Sequence, residues 1–145
     1  MSLVIDIADA VTAELNAAPP GTFTPSFTAV RRVLPEFDLA DLADLKVSVV
    51  PKRVEITGST RSASQYEIAV DIGIQKKLGK DLDSEVAALS TLVDQIADYL
   101  RRRPLGAAPF ASWVSISNEP VYAPEHLAEQ RVFTSVLTVS YRALK

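Results

Sequence analysis

Residues 65–77 read QYEIAVDIGIQKK, and this stretch decides the fold predicted for the rest of the chain. Apolar side chains occupy every second position of it, at Tyr66, Ile68, Val70, Ile72 and Ile74. Strict alternation of this kind predicts a β-strand with one dry face and one wetter face. The strand is long, so we expect it at the centre of an antiparallel or mixed sheet, with the next helix covering its dry face.

Two amphipathic helices are predicted on either side of this strand. The first has apolar residues at helical spacing near the N-terminus, and Ser2 is its expected cap. The second begins near Asp83 or Ser84 and ends before Pro104. Their apolar stripes are Val4, Ile7, Ala8, Val11 and Leu15 in the first helix, and Val86, Leu89, Val93, Ile96 and Leu100 in the second.

Shorter alternating segments predict the remaining strands. They are residues 26–34, 46–50, 111–118 and 131–143, with 53–57 continuing the second of them beyond a bulge at Pro51. Residues 36–45 predict one or two helical turns, and 120–130 predict a loop with one helical turn. The expected fold is a single α+β domain over residues 1–145, in which a mixed or antiparallel β-sheet carries two long α-helices packed on one face.

Composition limits the classes of function. The chain has 145 residues, 48% of them hydrophobic, with a net charge of −3 and no cysteine. Disulfides and thiolate chemistry are therefore excluded, and the acidic balance disfavours binding to nucleic acid. No apolar run approaches the roughly 20 residues of a membrane span, so we expect no membrane partner.

The residue pattern predicts no catalytic, cofactor-binding or metal-binding site. His126 is the only histidine and has no second imidazole or cysteine near it in the sequence, so it is interpreted as a surface residue. Asp81, Asp83 and Glu85 are interpreted as helix-start acids rather than as cation ligands. Residues 73–80 lack the spacing of a phosphate-binding loop. We therefore expect a protein that is not an enzyme and uses no cofactor.

Several strands have apolar residues on both faces, which predicts surface left for self-association. In order and character, the segments resemble the tail terminator, or tail completion, proteins of long-tailed bacteriophages and prophages. The segments that carry the resemblance are SLVIDIADAV at 2–11, VSVVP at 47–51, the loop containing Arg61, YEIAVDI at 66–72 running into Lys76 and Lys77, and DLD at 81–83 leading into the long helix.

The resemblance implies a virion assembly protein that forms a ring, usually of six subunits, on the head-proximal end of the tail tube. Such a ring ends tube polymerisation and provides a surface for head joining. The implied partners are other copies of the chain, the tail tube protein and the head completion or connector protein. The implied location is the virion tail, with assembly in the host cytoplasm.

Two other functions remain open from the sequence. One is a different neck or connector ring protein of a phage or a contractile injection system. The other is a small-molecule enzyme with an unrecognised site. A ring-sized oligomer in gel filtration with light scattering favours either assembly function, whereas a monomer with a deep polar pocket favours catalysis.

Two sets of contact residues are predicted. The small polar loop between the second strand and the long strand is expected to contact the tail tube or the neighbouring subunit, through Ser59, Thr60, Arg61 and Ser62. Opposite charges are expected to meet across the subunit interface, with Arg101, Arg102 and Arg103 on one side and Asp38, Asp41 and Asp44 on the other.

Overall fold

A five-stranded mixed sheet and three α-helices make up the described part of the chain in the computed structural model, namely residues 2–33, 41–58 and 60–144. In chain order the elements are α1 (Leu3–Asn16), β1 (Ala29–Arg31), a 3₁₀ turn (Asp41–Ala43), β2 (Lys46–Gly58), β3 (Ser64–Lys77), α2 (Leu82–Leu100), β4 (Ser112–Asn118), α3 (Pro124–Gln130) and β5 (Val132–Leu144). The predicted mixture of helix and mixed sheet is confirmed. Among these described elements, no helix is long and apolar enough to cross a membrane.

The strand predicted from residues 65–77 is β3, and it lies in the middle of the sheet. The strand order is β1-β2-β3-β5-β4, with β1 parallel to β2 and every other neighbouring pair antiparallel. The predicted continuation of β2 beyond Pro51 is also confirmed, because its pairing with β3 shifts between Pro51 and Arg53 and then runs to Gly58. Strands β2 and β3 therefore form one long hairpin.

The dry face of β3 belongs to the main hydrophobic core. Ile68, Ile72 and Ile74 are fully buried and belong to one cluster with residues of β2 and β5. Buried residues of both long helices, including Val11 and Val93, belong to the same cluster. Burial of this apolar surface supplies the main driving force for folding, at roughly 25 cal/mol per Å².

The opposite face of β3 carries small and polar side chains. Gly73 pairs with Ser48 of β2, and the Asp71 carboxylate accepts a 2.6 Å hydrogen bond from the Thr138 hydroxyl of β5. The Lys52 ammonium lies 3.6 Å from the same carboxylate and is half exposed, so solvent screens this pair. This face contrasts in chemistry with the apolar face of the same strand.

Three elements differ in extent from the sequence prediction. Strand β1 has three residues where residues 26–34 were predicted, and Leu34 lies outside the described residues. Both polar groups of the Asn16 side chain bond the backbone of Ala29 in this strand, at 2.8 and 2.9 Å. Helix α2 is capped by Asp81, whose carboxylate accepts from the Ser84 amide. Residues 120–130 were predicted as a loop with one helical turn, and the helical part is the seven-residue helix α3, with Pro124 at its first turn, where the missing N–H costs nothing.

Candidate functional site

The tip half of the β2–β3 hairpin extends beyond strand β1, the edge strand that pairs with β2. Strand β1 pairs with β2 only from Val47 to Val49, and residues 52–58 of β2 are all exposed. Two of these exposed residues are apolar, since Val54 is 39% and Ile56 is 57% accessible. An edge strand with exposed backbone groups and apolar side chains is a template for pairing with another chain.

Three of the four predicted loop contact residues are exposed at the tip of this hairpin. They are Thr60, Arg61 and Ser62, while Ser59 lies outside the described residues. The Thr60 amide donates a 3.1 Å hydrogen bond to the Ala63 carbonyl, which closes the turn. The tip thus presents a cation among small polar side chains without contributing to the main core.

The three predicted interface arginines have two different environments. Arg101 and Arg102 are exposed at the C-terminal end of α2, and Arg102 has a left-handed backbone with a φ of 58°. Arg103 instead packs within the chain, with its guanidinium carbon 3.9 Å from the centre of the Tyr99 ring. Its Nε donates to the Tyr99 carbonyl at 2.9 Å, and its Nη1 lies 3.6 Å from the Glu14 carboxylate.

The bonds of Arg103 form part of a link between α1 and the end of α2. The Glu14 carboxylate also accepts a 3.0 Å hydrogen bond from the Gly106 amide, and the Glu14 carbonyl accepts from the Tyr99 hydroxyl at 3.2 Å. Sequence reasoning missed this role because Glu14 and Arg103 lie far apart in the chain. The run of three arginines gave no signal that its last member differs from the first two.

Of the predicted acidic partners, the structure describes the side chain of Asp44, which is exposed. Asp41 begins the 3₁₀ turn, but its side chain is not among the described parts of the chain. Asp38 lies outside the described residues altogether. Within the described part of a single chain, no ion pair joins Asp44 to an arginine. The predicted pairing concerns neighbouring subunits, so it stays a prediction.

Two buried polar atoms lie in the neighbouring strands β4 and β5. Tyr141 is fully buried, and its hydroxyl has no hydrogen-bond partner among the described residues; the same holds for the indole Nε1 of Trp113, its neighbour across the sheet. Burial raises the pKa of the Tyr141 phenol well above its usual range, and the nearby Glu14 carboxylate raises that pKa further. The Tyr141 phenol therefore stays protonated at pH values near 10.0, where an ordinary tyrosine ionises.

The lone histidine lies in α3 rather than in a loop. His126 is exposed, and its Nδ1 is 3.0 Å from the Thr134 hydroxyl. A search of the described residues for three or more His, Cys, Asp or Glu side chains arranged to hold a metal ion finds none. Comparison of the chain with models of known protein families and with curated proteins finds no match.

Proposed function

We propose that this chain is an assembly protein of a phage or prophage tail, forming a ring that caps the head-proximal end of the tail tube. The observation that carries the proposal is the exposed end of the β2–β3 hairpin, with Arg61 at its tip and with Val54 and Ile56 on an edge that no further strand of the described residues pairs. Apolar groups on an open strand edge favour contact with another protein surface. The order of segments that resembles tail terminators is the second support.

The fold supplies a rigid base for such contacts. We infer that both long helices pack on the same face of the sheet, because buried residues of α1 and α2 share one cluster with the dry face of β3. The link between Glu14 and Arg103 supports this arrangement, since it fastens the two helices at one end. With the helices on one face, the sheet edges and the hairpin tip are left for partners.

In this proposal the ring subunits contact three partners. Neighbouring copies of the chain close the ring, the tail tube protein binds below it, and the head completion or connector protein binds above it. The ring belongs to the virion tail and assembles in the host cytoplasm. The contacts require no catalytic residue, metal or cofactor.

The test is complementation in the phage or prophage that encodes the chain. Particles lacking the gene are expected to contain over-long tubes without heads, and the wild-type gene supplied in trans is expected to restore tail length and head joining. Electron microscopy of both samples measures the two outcomes directly. Tails of normal length joined to heads in the absence of the gene contradict the proposal.

The main competing assembly function, a different neck or connector ring, predicts another result in the same micrographs. Loss of a head-side connector leaves tubes of normal length that carry no heads. Tube length therefore separates termination from connection, since both functions predict failure of head joining.

A further inference from the structure

Within the described residues, the sheet has one strand edge without a partner on each of its opposite sides, and the side chains along the two edges are similar in polarity. Beyond its short pairing with β1, β2 pairs only with β3 among the described residues, and this leaves residues 52–58 open on one side. At the far side, β4 pairs only with β5 in the same part of the chain.

The backbone groups at the β2 edge face outward at known positions. The Val49 carbonyl accepts from the Arg32 amide, so the polar groups of Val49 point away from β3. Alternation along an antiparallel strand, shifted once by the bulge after Pro51, then turns the N–H and C=O of Val54 and Ile56 away from β3 as well. These groups are available to a strand added at this edge.

Side chains on the helix side of the sheet match from one edge to the other. The pairing register places Val54, Ile68, Tyr141 and Trp113 in one row across β2, β3, β5 and β4. Val54 is partly exposed at one end of this row, and Trp113 is partly exposed at the other. If the row repeats in a second copy, the apolar Val54 lies beside the apolar Trp113 of the neighbour.

The open side of the sheet matches in the same way. Glu55, Glu67, Arg142 and Ser112 form the adjacent row, which is polar throughout. Glu55 and Ser112 are both exposed at its two ends. When a second copy continues the sheet with its helices on the same side, apolar residues of one edge therefore meet apolar residues of the other, and polar residues meet polar residues.

Strand direction also fits a ring. Each of the three steps from β2 through β3 and β5 to β4 is antiparallel, so β2 and β4 run in opposite directions. Rotation about an axis along the strands keeps these directions, so the β4 edge of one copy meets the β2 edge of the next as an antiparallel pair. The contact joins two different surfaces, which is the type of contact that closes a ring.

We propose that the free edge of β2 at residues 52–55 binds residues 112–115 on the β4 edge of a second copy of this chain, continuing the sheet from subunit to subunit. The proposal rests on the ring of the proposed function and assigns its interface. Hydrogen bonds of the two backbones supply the contact, and the matched rows fix the register with Glu55 opposite the neighbour's Ser112.

Disulfide trapping tests this register, because the natural chain has no cysteine. The double variant Glu55→Cys, Ser112→Cys places one thiol on each edge at an exposed position. Within one chain the two positions are three strand spacings apart, about 14 Å, whereas a disulfide needs Cα atoms within about 7 Å. Any disulfide of this variant therefore joins two copies.

Mild oxidation of the double variant is expected to give a ladder of covalent trimers and larger species on a non-reducing gel, up to the ring size. Each single variant is expected to stay monomeric on the gel. The matched control is Asp83→Cys, Ser112→Cys, which moves one exposed thiol from the β2 edge to the start of α2. This control is expected to give no ladder.

Light scattering before oxidation separates failure of this proposal from failure of the proposed function. A ring-sized mass without a ladder overturns the edge pairing and leaves the ring intact. Covalent dimers of Glu55→Cys alone also overturn it, because they show β2 pairing with β2 about a two-fold axis. A monomeric mass without a ladder contradicts both the edge pairing and the ring.

Discussion

At the scale of single residues, the buried hydroxyl of Tyr141 has no hydrogen-bond partner among the described residues. Leaving a buried polar group unpaired costs free energy, so its removal is neutral or favourable when shape is kept. Tyr141→Phe is expected to change the free energy of unfolding by less than about 1 kcal/mol, or to raise it. Urea unfolding at neutral pH measures this, and a loss above about 2 kcal/mol would show that the hydroxyl has a partner.

The raised pKa of Tyr141 predicts how stability depends on alkaline pH. The unfolded phenol ionises near its ordinary pKa of 10.0, while the buried phenol stays protonated at that pH. Above pH 10 the unfolded state therefore binds fewer protons than the folded state. The contribution of Tyr141 to stability consequently falls as the pH rises. Relative to Tyr141→Phe, the wild type is expected to lose stability between pH 9 and 11, and equal pH slopes for the two proteins would contradict this.

At the scale of elements, α2 depends on its buried stripe. Val93 is 2% accessible within the main core, so Val93→Asp places a charge there without a partner. The expected loss is at least about 3 kcal/mol of unfolding free energy. The control is Asp94→Ala on the exposed side of the same helix, with an expected change of about 0.5 kcal/mol or less. Equal melting temperatures for Val93→Asp and wild type would mean that this face of α2 is not buried.

The sequence was sufficient for elements whose periodicity is strong and local. The alternation of Tyr66 to Ile74 located β3 within one residue at its start, and Pro51 marked the bulge of β2. It was insufficient where a distant residue decides the outcome. Asn16 of α1 bonds the backbone of Ala29 in β1, and Glu14 of α1 forms an ion pair with Arg103. Periodicity carries no information about such contacts.

At the scale of the whole molecule, the environments of the arginines sharpen the predicted interface. Arg101→Glu with Arg102→Glu reverses two exposed charges and is expected to weaken the oligomer, most clearly at low salt where ion pairs are least screened. Arg103→Gln removes an internal contact and is expected to lower the melting temperature instead. Light scattering and thermal unfolding measure the two effects, and an oligomer unchanged by the double reversal would exclude the predicted pairing with Asp38, Asp41 and Asp44.

The hairpin tip is expected to act in tail assembly with little effect on folding. Replacement of Thr60, Arg61 and Ser62 by glycine alters exposed residues outside the main core, so the melting temperature is expected to change little. Tails assembled with this variant are expected to be over-long or headless in electron micrographs. Tails of normal length joined to heads would show that the tip makes no contact needed for termination.

The central claim is that copies of this chain close into a ring, and the mass of the purified protein in solution tests it most directly. Size-exclusion chromatography with multi-angle light scattering is the measurement, made over a range of protein concentrations. A ring of six copies of the 15.7 kDa chain predicts a single species of about 94 kDa, since a closed ring stops growing at a fixed size. A mass of 15.7 kDa at every concentration, or a mass that grows without limit, would contradict the account.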